Sequence, residues 1–303
     1  MHLLAVQPGG FVDDEAFVAS MEQTPGQIVI LSAADTTLAL LADAYAQLQS
    51  GVNGEQLPTV RLANLMYLRQ PASVDLYVDE VLQHAKVIVI DHLGGESYWP
   101  YGTDRVREIC RSKGIALVMF SGDTTEDLNL LQKSTASKEQ CRTLWRYLRE
   151  GGAANARELF CYLWHEFLQG HQQPLPPRPL PAVSVYHPDG RASVQDWQQG
   201  AGMRWQAGAP VVLVVFYRAH LQSGNTQVFD ALCAQLLANG LNPLPLALLS
   251  LKDAACMEML HGLCAEQEVA LILNTTAFSQ SSLEAPGDHA LAGDIPVLQL
   301  ILS

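Results

Sequence analysis

Residues 86–121 read KVIVIDHLGGESYWPYGTDRVREICRSKGIALVMFS, and this stretch decides the fold class. An apolar, β-rich run at Lys86 to Asp91 leads through a glycine-rich loop into a helix-length segment at Thr103 to Ser112. A second apolar run follows at Ile115 to Ser121. Strands that are spaced by a helix need a crossover connection and therefore lie parallel. The stretch predicts a β/α/β unit in an α/β fold, whose open and mostly parallel sheet is flanked by helices.

The same alternation extends toward the N-terminus. The predicted strands are His2 to Val6, Gln27 to Ser32 and Thr59 to Leu65, and the predicted helices are Asp13 to Gln23, Asp35 to Gln49 and Ser73 to His84. Short β-branched runs favour strands, and amphipathic segments of ten or more residues favour helices. The sequence therefore predicts a flavodoxin-like or Rossmann-like domain over residues 1–122.

The composition changes after this domain. Residues 123–171 are predicted to form a helical extension, with its clearest helices at Cys141 to Arg149 and Asn155 to Leu168. Residues 172–182 hold five prolines, which remove backbone donors and favour an extended linker. We place a domain boundary at this linker.

A second α/β domain is predicted over residues 183–303. Its predicted strands are Pro210 to Tyr217, Leu244 to Ser250, Ala270 to Asn274 and Ile295 to Ile301, and its predicted helices are Thr226 to Asn239 and Asp253 to Glu266. A parallel strand normally continues into a crossover helix, and none follows the last strand in this sequence. We therefore expect this second open sheet to be incomplete at its C-terminus and the chain to be part of a longer protein.

Charge and composition disfavour several partners. Hydrophobic residues make up 49% of the chain, and the formal net charge is −13. Such an acidic chain repels phosphate backbones and anionic lipids, so neither nucleic acid nor a membrane is expected as a partner. No apolar run approaches the roughly 20 residues of a membrane helix, and no secretion signal is recognisable. Six cysteines without a CxxC pair indicate reduced thiols in a cytoplasmic protein.

The first candidate binding loop follows the fourth predicted strand, because ligands of open parallel sheets lie beyond the carboxyl ends of the strands. Two adjacent glycines permit a close backbone approach, and the neighbouring aromatic rings offer a flat apolar wall. The residues predicted to contact a ligand are Gly94, Gly95, Glu96, Tyr98 and Trp99. His92 and Glu96 could bind a metal or transfer protons. The alternative is an ordinary loop whose aromatic side chains cap the core, with His92 as a structural residue.

The second candidate loop joins an apolar strand to a helix. Its predicted contacts are Tyr217, Arg218, His220, Gly224 and Asn225. Arg218 can bind a carboxylate through two hydrogen bonds, and His220 can ligate a metal or shuttle protons. Gly224 and Asn225 could expose backbone donors at the start of the helix. Alternatively, Arg218 is paired internally and Asn225 is an ordinary helix N-cap.

The third candidate loop begins at Asn274 and Thr275, after another predicted strand. It continues into the polar stretch 279–292, which predicts either a lid or a simple crossing. The sequence assigns no catalytic residue and no metal site in any of the three loops.

Several common motifs do not occur in this sequence. It has no G-x-x-x-x-G-K-[ST] loop, so we do not expect the chain to hydrolyse nucleotide itself. It also has no G-x-S-x-G, H-E-x-x-H or complete G-x-G-x-x-G motif, which argues against hydrolases, zinc proteases and dinucleotide enzymes. A non-enzymatic module that binds a small ligand or a partner, and a flavodoxin-like redox protein, remain open alternatives.

Six short motifs occur in order along nearly the whole chain. They are Gly94 to Gly102, Gly122-Asp123, Glu150 to Asn155, Tyr217 to His220 with Gly224, Ser250 to Asp253, and Asn274 to Phe278. In this combination the chain resembles the N-terminal region of the cobaltochelatase large subunit. That family also includes the large subunit of magnesium chelatase.

The resemblance implies a role in the ATP-dependent insertion of Co²⁺ into a corrin, hydrogenobyrinic acid a,c-diamide, during aerobic cobalamin biosynthesis. It implies that separate AAA+ partner subunits hydrolyse ATP, that cobalt is a substrate, and that this region binds no cofactor of its own. It also implies that the metal-handling His and Glu residues lie largely beyond residue 303, so the isolated region is expected to be inactive. We expect Arg218 and His220, with Tyr98 and Trp99, to line the face that meets the tetrapyrrole or the rest of the subunit. A tetrapyrrole-binding protein of the magnesium chelatase type is the alternative within the family.

Overall fold

The computed structural model of the chain describes residues 20–51, 57–200, 202–276, 291 and 293–302. It divides into two compact units, Met1–Pro179 and Leu180–Ser303. The boundary between them lies inside the predicted proline-rich linker. The predicted strand His2 to Val6 lies outside the described residues, as does most of the predicted helix Asp13 to Gln23.

The first unit contains a four-stranded parallel sheet with the strand order β2-β1-β3-β4. Its strands are β1 (Ile28–Ser32), β2 (Val60–Asn64), β3 (Val87–His92) and β4 (Ala116–Ser121). Its helices are α1 (Asp35–Gly51), α2 (Pro71–Glu80), α3 (Pro100–Lys113), α4 (Leu128–Lys133), α5 (Lys138–Glu150) and α6 (Gly152–Leu168). The predicted α/β fold class is therefore confirmed for this unit.

Both faces of this sheet are buried because helices cover each of them. Alternate residues of a strand point to opposite faces. Val29 and Ile88 pack with residues of α2 and α3, whereas Ile30 and Val89 pack with residues of α1, α5 and α6. The residues predicted as a separate helical extension thus complete the core of the first unit.

Four predicted helix starts in this unit lie two or three residues too late, because α2, α3, α5 and α6 begin at Pro71, Pro100, Lys138 and Gly152. Two of these shifts have a clear local cause. Helix α3 begins at Pro100 rather than Thr103, since proline has no N–H to lose in a first turn and its φ suits a helix. Helix α5 begins at Lys138 rather than Cys141, because Ser137 and Gln140 form a reciprocal capping box.

The edges of the first sheet are covered by neighbouring chain. The hydroxyl of Thr135 accepts the N–H of Leu117 at 2.7 Å, and the hydroxyl of Ser134 accepts the N–H of Met119 at 2.8 Å. On the opposite edge, the Gln23 side chain donates to a carbonyl of β2 at 2.9 Å. Such coverage removes the free donors and acceptors through which edge strands associate with other chains.

The second unit contains a five-stranded sheet with the order β5-β7-β6-β8-β9, in which only β5 runs antiparallel. Its strands are β5 (Val183–Val185), β6 (Val211–Tyr217), β7 (Asn242–Leu248), β8 (Val269–Asn274) and β9 (Val297–Gln299). Its helices are α7 (Val194–Gln199), α8 (Ala219–Gln222), α9 (Gln227–Ala238) and α10 (Ala254–Glu266). The parallel strands β7-β6-β8-β9 therefore repeat the β2-β1-β3-β4 order of the first unit.

Strand β7 begins two residues before its predicted start and includes two prolines. The carbonyl of Pro245 accepts the N–H of Tyr186 at 2.9 Å. The nitrogen and carbonyl of one strand residue face the same side, so the Pro245 nitrogen also faces the β5 side. The carbonyl of Tyr186 on that side accepts the indole N–H of Trp197 at 2.8 Å, so it does not need a donor from position 245.

Candidate functional site

The carboxyl ends of the first sheet form a polar edge on an otherwise aliphatic core. Ser32, Asn64, Asp91 and Ser121 end or nearly end the four strands, and each is at least nine-tenths buried. Strands β1 and β3 are neighbours, although their connections leave the sheet in opposite directions. This reversal is the position at which open α/β sheets bind ligands.

A buried ion pair lies at this reversal point. Arg149 Nη2 is 2.9 Å from Asp91 Oδ1, and the side chains are 19% and 3% exposed, respectively. The hydroxyl of Ser32 donates to the other Asp91 oxygen at 2.9 Å, and Arg149 Nη1 donates to the carbonyl of Gly122. A carboxylate buried to this extent requires a paired charge. Arg149, at the end of α5, thereby connects the end of β3 to the residue that follows β4.

The predicted glycine loop lies beside this ion pair. Gly94 and Gly95 have φ angles of +80° and +75°, in the region that side chains disfavour. They lead into a single helical turn, Glu96–Tyr98. The ring of Tyr98 is 54% exposed, and its hydroxyl lies 3.6 Å from the sulfur of Met66. Tyr98 is therefore accessible from solvent, and its contact with a ligand stays a prediction.

Trp99 does not line this edge, which corrects the prediction made for it. The residue is 5% exposed, and its indole N–H donates to the carbonyl of Leu68 at 2.6 Å. A Cβ atom at Gly102 would overlap the indole ring, so this glycine makes room for the buried tryptophan. His92 is also buried, with its ring 6.2 Å from that of Trp99. The alternative reading, in which aromatic and His side chains complete the core, is the correct one for these two residues.

In the second unit, Arg218 is held by backbone groups of its own unit. Its Nη1 donates to the carbonyl of Leu180 at 2.7 Å and contacts that of Pro181 at 3.2 Å. Its backbone N–H donates to the carbonyl of Leu248 at 2.8 Å. The guanidinium thus anchors the chain that leads into β5. Arg218 was expected to bind a carboxylate through two hydrogen bonds. This expectation is corrected, since its Nη1 is already bonded to backbone carbonyls.

His220 is half-buried against two phenylalanines. Its ring centroid lies 6.3 Å from that of Phe216 and 5.0 Å from that of Phe229. Burial lowers the pKa of His220 below its ordinary value of about 6.5. The imidazole is therefore neutral near pH 7 and retains a lone pair that can accept a proton.

We expect His220 to make the protein less stable in mild acid. Above pH 6.5 the ring is neutral in both folded and unfolded states, but below this pH the unfolded chain takes up a proton that the folded protein resists. Urea unfolding at pH 7.5 and pH 5.5 should show a smaller loss of stability for His220→Gln than for the unchanged protein. Equal losses for both proteins would refute this assignment.

The backbone donors predicted at Gly224 and Asn225 are already used. The N–H of Gly224 donates to the carbonyl of Leu221 at 3.2 Å, and that of Asn225 donates to the carbonyl of His220 at 2.9 Å. The N-cap position of α9 is held by Thr226. Both the anion-binding and the N-cap interpretations of these two residues are therefore corrected.

Asn274 and Thr275 also make internal contacts. The side-chain oxygen of Asn274 accepts from Thr276, and its amide donates to the side chain of Gln299 at 2.9 Å. The hydroxyl of Thr275 donates to the carbonyl of Val215 at 2.9 Å. These bonds fix the ends of β6, β8 and β9 relative to one another. Tyr217 is half-buried and packs against the core of this unit.

No candidate metal centre is found among the residues that the structure describes. None of their His, Cys, Asp and Glu side chains forms a group of three or more that could hold a metal ion. All six cysteines are buried and free, as predicted, and burial raises the pKa of the Cys110 thiol to about 12. Within the described residues, no helix is both long and apolar enough to span a membrane.

Comparison with known proteins extends the resemblance seen in the sequence. Residues 145–303, just over half of the chain, match the family model CobN/Magnesium Chelatase. The whole chain is 42% identical to the aerobic cobaltochelatase subunit CobN of Pseudomonas aeruginosa and 34% identical to the protein of the same name from Sinorhizobium sp. The chain spans 24% of the length of each of these relatives.

A solved structure shares the fold. The catalytic subunit of cobaltochelatase from Mycobacterium tuberculosis matches 82% of this chain with a TM-score of 0.60 and 28% identity, and 18% of that chain is covered. The part that matches the family model begins within α5, so it includes Arg149 and the entire second unit. The sequence match, the shared fold and the identity to the curated relatives agree, and the chain belongs to the CobN/magnesium chelatase family.

Proposed function

We propose that this chain is the N-terminal part of the large subunit of an ATP-dependent cobaltochelatase. The complete enzyme would insert Co²⁺ into hydrogenobyrinic acid a,c-diamide during aerobic cobalamin biosynthesis in the cytoplasm. The observation that carries the proposal is the 42% identity, over the full length of this chain, to an aerobic cobaltochelatase subunit. AAA+ partner subunits would hydrolyse the ATP, which agrees with the missing G-x-x-x-x-G-K-[ST] motif in this sequence.

Metal insertion sets requirements that several parts of a protein can share. The macrocycle must be held with its inner N–H groups accessible, a base must take their protons, and transient ligands must replace the water around the cation. Because the described residues form no metal-binding group, we assign this chain to holding the macrocycle or the rest of the subunit. Tyr98 beside Gly94 and Gly95 is the candidate for contact with a flat ring, since its side chain is 54% exposed.

His220 remains a candidate for proton transfer or for contact with the macrocycle. Its lowered pKa keeps a basic nitrogen available near pH 7. Arg218 has one nitrogen committed to the carbonyls of Leu180 and Pro181, so we propose a positioning role for it rather than a direct grip on a carboxylate.

A non-enzymatic binding module is the second candidate function. It is favoured by internal hydrogen bonds, which engage the backbone N–H groups of Gly224 and Asn225 and the side chains of Asn274 and Thr275. Within the family, a tetrapyrrole-binding protein of the magnesium chelatase type would fit the same observation. A protein of the magnesium chelatase type differs from the proposed cobaltochelatase in its metal, whereas a binding module would insert no metal at all.

A chimera tests the proposed function. This chain would replace the matching N-terminal quarter of the P. aeruginosa CobN protein, and cobalt insertion would be measured with the partner subunits, ATP and the corrin substrate. We expect the chimera to insert cobalt, and we expect this activity to be lost when the N-terminal quarter is deleted. A folded chimera that inserts magnesium into a porphyrin, or that binds a macrocycle without inserting any metal, would support the alternatives instead.

The isolated chain is predicted to have no chelatase activity. The described residues provide no metal-binding group, so addition of partner subunits, ATP, Co²⁺ and substrate should yield no cobalt corrin. Quenching of tryptophan fluorescence by a corrinoid would report binding in the same sample. Cobalt insertion by the chain alone would contradict the prediction.

A further inference from the structure

The proline-rich chain at the end of the first unit is bonded to helix α6. Residues 174–178 read PLPPR, and we call them the strap. Because three of these five residues are prolines, the strap has only two backbone N–H groups, those of Leu175 and Arg178. The N–H of Leu175 donates to Glu158 Oε2 at 2.9 Å, and that of Arg178 donates to Asn155 Oδ1 at 2.9 Å. Every backbone N–H of the strap is therefore bonded to a side chain of this one helix.

The carbonyls of the same two residues are bonded as well. The hydroxyl of Tyr147, on α5, donates to the carbonyl of Leu175. The side-chain amide of Asn155 donates to the carbonyl of Arg178 and to that of Gly151, each at 2.9 Å. Asn155 thus pairs with both backbone groups of Arg178, and both N–H bonds of its amide are in use. Side chains of α5 and α6 bind the strap through its backbone at two points, three residues apart.

The burial of the strap has the same spacing of three residues. Pro177 is buried and Pro174 is half-buried, whereas Leu175, Pro176 and Arg178 are exposed. A polyproline II helix has three residues per turn and makes no internal hydrogen bonds. A segment in this conformation turns every third residue to one side and leaves its backbone groups to a binding partner. The burial and the hydrogen bonds of the strap agree with this geometry.

We propose that α5 and α6 form a recognition surface for polyproline II peptide and that the strap is its resident ligand. Prolines hold such a peptide close to its bound conformation, so little conformational freedom is lost on binding. The surface includes Asn155 of the Glu150 to Asn155 motif, and it gives this motif a role in binding peptide. The inference goes beyond the proposed function and does not depend on it. It also makes the predicted linker, as far as Arg178, a bound part of the first unit.

Amide hydrogen exchange in the 303-residue chain tests whether the strap is bound. The amides of Leu175 and Arg178 should exchange roughly tenfold or more slowly in the chain than in a free peptide of residues 172–181. Asn155→Ala should remove the protection at Arg178, and Glu158→Ala should remove it at Leu175. Arg157→Ala is the matched control, since Arg157 is an exposed neighbour on α6 and its loss should leave both amides protected.

Three outcomes of the exchange experiment would overturn the inference. The first is fast exchange at both strap amides in the unchanged chain. The second is protection that survives in Asn155→Ala and in Glu158→Ala while the amides of α6 stay protected. The third is protection that grows with protein concentration, which would assign the bound strap to a second copy of the chain. If Asn155→Ala does not fold, the result for Glu158→Ala decides.

A peptide added in trans tests whether the surface recognises polyproline II. In a variant of the full chain, residues 174–178 would be replaced by glycine and serine, and the labelled peptide QQPLPPRPLP, residues 172–181, would be added. Its fluorescence anisotropy should show binding that is roughly tenfold or more tighter than to the unchanged chain, whose surface is occupied. A peptide with Pro176→Gly and Pro177→Gly should bind more weakly, because it is no longer held in the bound conformation.

Two results with the added peptide would contradict the proposal. One is equal binding to the variant and to the unchanged chain, in a variant whose β1 and β3 amides are still protected. The other is equal binding of the proline and glycine peptides, which would show that the surface does not select the polyproline II conformation. If the variant does not fold, the exchange results in the unchanged chain and in Glu158→Ala decide.

Discussion

Replacement of Arg149 by alanine is expected to lower the free energy of unfolding of the first unit by about 3–5 kcal/mol, since it leaves a buried carboxylate without its counterion. Among the described residues, the hydroxyl of Ser32, at 2.9 Å, would remain as the side-chain partner of Asp91. The carbonyl of Gly122 would also lose its donor. Denaturant unfolding, together with hydrogen exchange at the amides of β3 and β4, would measure the loss in this unit.

Arg142→Ala is the control for this experiment. Arg142 lies on the same helix and pairs with Glu126 at 2.9 Å, but its side chain is 49% exposed. Exposed pairs contribute about 0–1 kcal/mol. A cost for Arg149→Ala that is no larger than the cost for Arg142→Ala would show that the ion pair does not hold the end of β3 and the loop after β4 in place. Replacing both Asp91 and Arg149 by apolar residues of similar size should recover much of the lost stability.

The central strands of both sheets can be predicted from the sequence because each of them carries its own signal. Val87 to Ile90 and Val211 to Phe216 are unbroken apolar runs, and such runs are typical of parallel strands buried on both faces. The helix starts were harder to predict, since a capping box at Ser137 or a proline at the first position shifts a boundary by several residues. Strand β5 was missed because three residues are too few to show a periodic pattern.

The site residues could be predicted less well, because side-chain direction depends on distant contacts. Trp99 stands beside a glycine-rich loop, and only the missing Cβ of Gly102 reveals that the indole turns inward. Arg149 gave no signal in the sequence, since its partner Asp91 is 58 residues away and a basic residue in the last turn of a helix is common. The sequence marks Arg218 as a candidate contact residue. Its carbonyl partners lie 37 and 38 residues before it, so the local sequence does not reveal that its guanidinium is bonded internally.

The second large effect is expected in the other unit, where Trp197→Ala should lower the free energy of unfolding by about 3–5 kcal/mol, as for other tryptophans removed from a core. Trp197 is fully buried, its indole N–H donates to the carbonyl of Tyr186 at 2.8 Å, and its ring centroid lies 4.3 Å from that of His187. Helix α7 has only six residues, so it cannot be stable without this packing.

Two further variants test whether the loss of stability comes from the packing of the Trp197 ring. Trp197→Phe keeps an aromatic ring but leaves the carbonyl of Tyr186 without this donor, so it should cost about 1–3 kcal/mol, the range for one buried polar group left unsatisfied, and less than Trp197→Ala. Gln198→Ala changes an exposed neighbour on the same helix and should stay within about 0.5 kcal/mol. Hydrogen exchange should show that the amides of α7 lose their protection in Trp197→Ala, whereas the amides of β6 remain more strongly protected than those of α7. If α7 stayed protected, the segment between β5 and β6 would have to draw its stability from contacts other than this tryptophan, such as the bond from the N–H of Trp205 to the Trp197 carbonyl.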